Sequence, residues 1–204
     1  SADGMSLESI HLEAREIGRI MGPKMESRKP VPLSDISPHL QNAVIATEDA
    51  RFYSHIGIDF YSIGRALYTN IKAMRFAQGG STITQQLAKN LFLSPHKTLW
   101  RKLIEAEMAI MLELRYSKKQ ILEMYLNKIY FGQEGLAGIF GIEEAAGSYF
   151  SKKAKDLSLD ESALLAGIIC SPNRYSLLKN PAKAENRRNR SEERRVGKEC
   201  RSRW

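Results

Sequence analysis

A chain of 204 residues with 43% hydrophobic and 26% charged content has the make-up of an ordinary globular domain, which excludes a disordered or fibrous polypeptide. At this length about 70% of the surface of the unfolded chain is buried on folding, so a core forms without disulfides or metals. Thirty-one Lys and Arg against twenty-three Asp and Glu leave a net charge of +8, which calls for an anionic partner (nucleic acid, phospholipid or a phosphorylated substrate) without choosing among them.

Residues 1–24 read as an N-terminal lead-in. Across residues 1–40, Gly22, Pro23, Pro30, Pro32 and Pro38 interrupt any long element, so a short strand or helix followed by an extended loop is expected before the body of the chain. From Leu40 onward apolar residues recur at helical spacing, which predicts helices over 40–47, 60–75, 82–91, 99–115, 118–127, 136–149 and 159–170. Ser117 before Lys118 and Ser158 or Asp160 before Glu161 are N-cap candidates, and Pro95 and Pro172 fall where helices have already stopped. Strand signals are few, and the domain is expected to be mainly α. The 99–115 segment is apolar nearly all round and reads as a buried core helix. The segment 58–76 instead alternates apolar residues with Arg65, Lys72 and Arg75, the pattern of a basic amphipathic helix that suits either a membrane interface or packing on a core. Residues 183–204 are rich in Arg, Lys and Glu with hardly an apolar side chain, so they are expected to stay solvated. Within them 190–204 reads as a non-native or disordered tail. The chain has no run of about 18 uncharged apolar residues, and Cys170 and Cys200 have no ligand-like spacing.

Three segments hold residues with chemical potential. Glu48 and Asp49 end a helical run and precede Phe52, His55 and Gly57; paired carboxylates serve sugar chemistry, and adjacent acids are also common at helix ends. Gly79 to Asn90 places two glycines and the hydroxyls of Ser81 and Thr82 ahead of a helix bearing Gln85, Gln86 and Lys89. Such a helix start with a cation suits a phosphate, although by local chemistry ordinary capping is the better explanation. It matches neither a Walker loop nor a dinucleotide fingerprint. Glu105 emerges from the apolar 99–115 helix beside Met108, Ala109 and Leu112, with Arg101 and Lys102 one turn earlier as possible ion-pair partners.

Taken in order, five motifs resemble the peptidoglycan glycosyltransferases of family 51, found in class A penicillin-binding proteins and in monofunctional transglycosylases. They are Glu48-Asp49 with Phe52, His55 and Gly57; Gly79 to Asn90; Arg101-Lys102 with Glu105, Ala109, Leu112 and Glu113; Lys119 to Asn127 with Phe131-Gly132; and Ala145-Ala146 with Tyr149, Phe150 and Lys152. The resemblance covers a glycosyltransferase domain over 25–189. It implies a mainly α, lysozyme-like lobe with a smaller membrane-proximal lobe at about 58–80. It also implies polymerisation of lipid II into glycan strands, with inversion and release of undecaprenyl diphosphate. Carried to matching positions, Glu48 is the general base and Glu105 the second catalytic acid. Substrate contacts fall on Asp49, Phe52, His55, Arg65, Ser81, Thr82, Gln85, Gln86, Lys89, Asn90, Lys97, Arg101, Glu113, Tyr125, Asn127 and Tyr130. The family further implies help from a divalent cation, Mg or Mn, with ligands unknown, and no organic cofactor. The expected partners are lipid II, the growing glycan and the membrane surface, with no nucleic acid, and a transpeptidase domain or other cell-wall machinery as companions. The expected place is the outer face of the cytoplasmic membrane, with an anchor upstream of this sequence. A lysozyme-like hydrolase and an inactive lipid-binding module are the competing expectations.

Overall fold

The computed structural model describes residues 26–27, 29–74, 79–93, 98–134 and 137–172. Seven α-helices appear among them: α1 (Pro38–Glu48), α2 (Phe60–Lys72), α3 (Ile83–Phe92), α4 (Leu99–Arg115), α5 (Lys118–Lys128), α6 (Ile142–Phe150) and α7 (Leu159–Ile169). The fold is mainly α, as the periodicity predicts. Local chemistry starts most of these helices. Thr82, Ser117 and Ser158 each cap a helix and form a reciprocal box with the residue three positions on, Gln85, Gln120 and Glu161 respectively, so two otherwise unbonded groups are satisfied at each start. Pro38, in the first turn of α1, has φ already set for a helix. The lead-in 1–24 and the 190–204 tail lie outside the described residues.

α1 and α7 pack against each other through their buried faces. Ser37 donates its N–H to the Ala154 carbonyl at 3.0 Å and its hydroxyl to the Leu157 carbonyl at 3.1 Å, which ties the start of α1 to the segment that leads into α7. α7 presents Ala163, Leu165, Ala166, Ile168 and Ile169 to the interior, and α1 supplies Leu40, Ala43 and Val44. α3 packs on both α4 and α5, so the ends of α1, α3 and α7 meet around one cleft.

The structure corrects two expectations. The helix expected over 136–149 begins only at Ile142. Ahead of it stand β2 (Tyr130–Glu134) and β3 (Ala137–Phe140), paired antiparallel with Gln133 opposite Gly138, while β1 (Glu26–Ser27) pairs parallel to β3 with Glu26 opposite Gly138. Glycine weakens a helix interior by about 1 kcal/mol, and Gly138 and Gly141 both fall in the expected helix. Gly141 sits at φ 81° with the Asn127 carbonyl oxygen 2.8 Å from where a Cβ would stand, so it breaks the chain between strand and helix. The second correction concerns α4, which is not buried all round. Glu105, Ala109 and Leu112 face inward, whereas Trp100, Leu103, Met111 and Leu114 are exposed.

α2 stands out from the body in the same way. Ala66 is its only buried residue, and Phe60, Leu67, Tyr68 and Ile71 are all more than half exposed, as is Met74 just beyond its end. No helix among the described residues is long and apolar enough to cross a membrane.

Candidate active site

The cleft has a volume of about 790 Å³ and is walled by the end of α1, the start of α2, the Gly79–Thr82 loop, α3 and the end of α7. Glu48 is the last residue of α1 and lines this cleft. One of its carboxylate oxygens, Oε2, accepts from Gln86 Nε2 at 3.0 Å. Gln86 Oε1 in turn accepts from the Tyr125 hydroxyl at 3.0 Å. Tyr125 is fully buried; burial above all, then the charges of Glu48 and Asp49, push its hydroxyl well above its ordinary pKa, which keeps it protonated as a donor.

Asp49 is adjacent to Glu48 but its carboxylate points to a different task. It accepts from the Ile83 N–H, in the first turn of α3, at 3.0 Å and meets His55 Nε2 at 2.9 and 3.1 Å. His55 Nδ1 accepts from the Gly57 N–H at 3.2 Å, so Nε2 carries the proton and donates to Asp49. Gly57 holds φ 89° with the Ala109 carbonyl oxygen 2.8 Å from the position of a Cβ, a close approach that only glycine makes without strain. Its carbonyl accepts from the Thr82 hydroxyl at 2.6 Å. Asp49, His55, Gly57 and Thr82 therefore lock the start of α3 to the loop after α1. Phe52 is wholly buried in the same region and touches the core rather than the cleft.

The opposite side of the cleft is polar and basic. Arg65 from α2, Ser81 and Thr82 from the loop and Lys89 from α3 all line it. Glu105 is 2% exposed and is not itself on the cleft wall; Lys102 Nζ bonds both the Glu105 carboxylate and the Ser81 hydroxyl, the latter at 2.8 Å. Of the two cations considered as partners of Glu105, Lys102 makes the bond, while Arg101 Nε is shielded from solvent with no hydrogen-bond partner among the described residues. Lys102, part of the third motif but not among the expected substrate contacts, is thus a residue of the site. Its spacing to Glu105 was a visible signal, but its reach to Ser81 is a tertiary contact. Asp59, on the same cleft, caps α2 by accepting from the Ser62 N–H and hydroxyl at 3.1 and 2.6 Å. Burial pushes its carboxyl up, but the Ser62 bonds, Arg51 and His55 outweigh this and hold it below the ordinary value.

Several expected contact residues have other tasks. Gln85 is 3% exposed and its amide oxygen accepts from the Thr82 N–H at 3.1 Å as half of the capping box. Glu113 accepts from the Thr84 hydroxyl at 2.6 Å and from Lys118 at 2.7 Å, joining α3, α4 and α5 outside the cleft wall. Asn127 clamps the backbone of Val31, accepting from its N–H at 2.9 Å and donating to its carbonyl at 2.8 Å. Tyr130 stacks against Phe140 with ring centroids 5.1 Å apart, and Tyr125 meets the cleft only through Gln86. Asn90 is exposed beyond the cleft wall. Lys97 lies outside the described residues. Conversely, Ile169 and Cys170 at the end of α7 line the cleft, a contribution that no local pattern announces.

The sequence model of the family described as Transglycosylase matches residues 13–195. The chain is 47% identical over 180 residues to penicillin-binding protein 1B of Escherichia coli, an alignment that covers 88% of this chain and 21% of that protein. It is 50% identical over 163 residues to penicillin-binding protein 1F of Bacillus subtilis, covering 80% of the chain and 22% of the relative. Against the biosynthetic peptidoglycan transglycosylase of Nitrosomonas eutropha the identity is 52% over 145 residues, 71% of this chain and 58% of that protein. The chain thus spans 21% and 22% of these two penicillin-binding proteins. With nine-tenths of its length matched by one family and identities near one half to several of its relatives, the chain belongs to the transglycosylase family.

Proposed function

We propose that this chain is a peptidoglycan glycosyltransferase domain that polymerises lipid II into glycan strands and releases undecaprenyl diphosphate. The observation that carries this is the carboxylate of Glu48 on the same cleft as Arg65, Ser81, Thr82 and Lys89, a base and an anion-binding wall facing one space. Glu48 removes the proton of the acceptor sugar's 4-hydroxyl as that oxygen attacks the donor's anomeric carbon. The bond to the diphosphate breaks on the opposite face, so the configuration inverts. Cations can neutralise a leaving diphosphate without an enzyme acid, a part that falls to Lys89 and Arg65 on the cleft wall. Glu105 acts one step back, holding Lys102 against Ser81 at the donor side.

Among the described residues, no three His, Cys, Asp or Glu side chains form a metal-binding group, and Asp49 and Asp59 are already engaged by Ile83, His55 and Ser62. These residues do not fit a resident metal site, and in this scheme the cations of the cleft wall neutralise the diphosphate. The exposed apolar side chains of α2, flanked by Arg65 and Lys72, suit the surface of an anionic bilayer that presents a lipid-linked substrate. The domain then works at the outer face of the cytoplasmic membrane, within a longer protein that supplies an anchor and, as in penicillin-binding relatives, further domains. The test is incubation of the chain with lipid II in detergent. Polymer that a muramidase digests, with release of one lipid diphosphate per bond formed, is expected; cleavage of preformed glycan without polymer growth would overturn the proposal in favour of a hydrolase.

A further inference from the structure

We infer that Tyr125 is a positioning residue for the reaction: through Gln86 it orients Glu48 and keeps its carboxylate in the ionised, proton-accepting form. This deepens the proposed role of Glu48 and rests on it. The chain of bonds has one direction. The Tyr125 hydroxyl donates to Gln86 Oε1 at 3.0 Å, and Gln86 Nε2 donates to Glu48 Oε2 at 3.0 Å. A glutamine amide has two faces that differ only in which atom donates, and its orientation is set by its partners. The acceptor-only carboxylate of Glu48 takes the amide N–H, and the Tyr125 hydroxyl, able to donate or accept, donates to the amide oxygen that then faces it, which holds and polarises the amide in this orientation. Burial, followed by the charges of Glu48 and Asp49, raises the Tyr125 hydroxyl well above its ordinary pKa, so the phenol keeps its proton and can donate to the amide oxygen.

The consequence for Glu48 follows in two parts. A donor on Oε2 favours the ionised carboxylate, and the bond from Gln86 fixes where that oxygen lies. Tyr125 itself is fully buried and is not on the cleft wall, so it acts without touching substrate. The three members of the relay come from separate parts of the sequence: α1 ends in Glu48, α3 carries Gln86 and α5 carries Tyr125. The other charged or titratable groups that share the cleft with Glu48 are Asp49, Asp59, Arg65, Lys89 and Cys170, with His55 behind Asp49; a change at Tyr125 alters none of them directly.

The test is Tyr125→Phe in the 204-residue chain, assayed by lipid II polymerisation in detergent over a range of pH. The change removes one oxygen and keeps the ring. Without the phenol the amide oxygen loses its donor and the bond from Nε2 to Glu48 weakens, which disfavours the ionised form, so the acid limb of the kcat profile moves to higher pH. The expected shift is about half a unit to one unit, or about three- to tenfold in proton affinity. On the plateau kcat falls about tenfold while KM stays within about twofold, the split of an interaction made for the transition state. A tyrosine that only fills the core would lower the melting temperature and leave the acid limb where it is; that result overturns the inference, as does an unchanged kcat. Adding Tyr125→Phe to Gln86→Leu should change nothing further, because the effect passes through Gln86, and additive losses would also overturn it. Glu48→Gln separates the two failures: an inactive Glu48→Gln chain beside a normal Tyr125→Phe chain defeats only the relay, whereas an active Glu48→Gln chain defeats the role of Glu48 itself.

Discussion

Replacement of Asp49 by Ala decides whether the second carboxylate of the Glu48-Asp49 pair serves the substrate or the scaffold. Asp49 is 6% exposed and accepts from the Ile83 N–H at 3.0 Å and from His55 Nε2 at 2.9 Å. Hydrogen bonds to a charged group are worth about 1.5–3 kcal/mol each. A negative charge at a helix start adds about 0.3–1 kcal/mol, and the Ile83 N–H belongs to the first turn of α3. Allowing for the non-additivity of bonds that share one carboxylate, the loss is about 4 kcal/mol, which lowers the melting temperature of a domain of this size by about 8–16 °C. Urea and thermal unfolding followed by circular dichroism measure it. Asp49→Asn keeps an acceptor for Ile83 and removes the charge, so it should fall about midway. If Asp49→Ala unfolds at the wild-type midpoint and yet fails to polymerise, the scaffold role is refuted and Asp49 belongs with the substrate contacts.

Three further predictions address other parts of the molecule. Asn127→Ala removes both clamps on Val31 and should cost about 2–3 kcal/mol of stability while KM for lipid II stays unchanged, read by denaturant unfolding beside kinetics. For Asp59, the depressed folded-state pKa means that its contribution to stability is complete above its unfolded value of about 3.9 and is lost as pH falls through the lower folded value. Asp59→Asn should therefore destabilise at pH 7, and its difference from wild type should shrink in melting curves recorded below that unfolded value. Leu67→Asp with Ile71→Asp places two charges on the exposed face of α2, where both residues are more than half exposed. Flotation with phosphatidylglycerol vesicles should drop at least several-fold while the melting temperature holds; undiminished flotation would remove α2 from the membrane surface.

The elements that were legible in the sequence are those whose signals are local. Ser117 with Gln120 and Ser158 with Glu161 announce a helix start within four residues, and α5 and α7 lie where the periodicity puts them. The β2–β3 pair was not legible, because strands of five and four residues draw their stability from a partner, and β1 pairs with β3 across more than a hundred residues. For α4, periodicity groups Trp100, Leu103, Met111 and Leu114 on one face but says nothing of what that face meets, so an outward apolar stripe reads like a core helix. The site divides along the same line. Glu48, Ser81 and Lys89 sit in motifs and line one cleft. The tasks of Asp49, Gln85, Glu113 and Asn127 depend on contacts with Ile83, Thr82, Lys118 and Val31. Of these, only the Thr82–Gln85 box is close enough in sequence to be foreseen.

The role of Glu48 is open to one decisive measurement. Glu48→Gln keeps the size and hydrogen-bonding shape of the side chain and removes its capacity to take a proton. With lipid II in detergent, the chain carrying it should retain binding and form no glycan polymer, a loss of at least about a hundredfold in kcat as expected for a general base. Polymer formed at the wild-type rate would show that another group accepts the proton of the attacking hydroxyl.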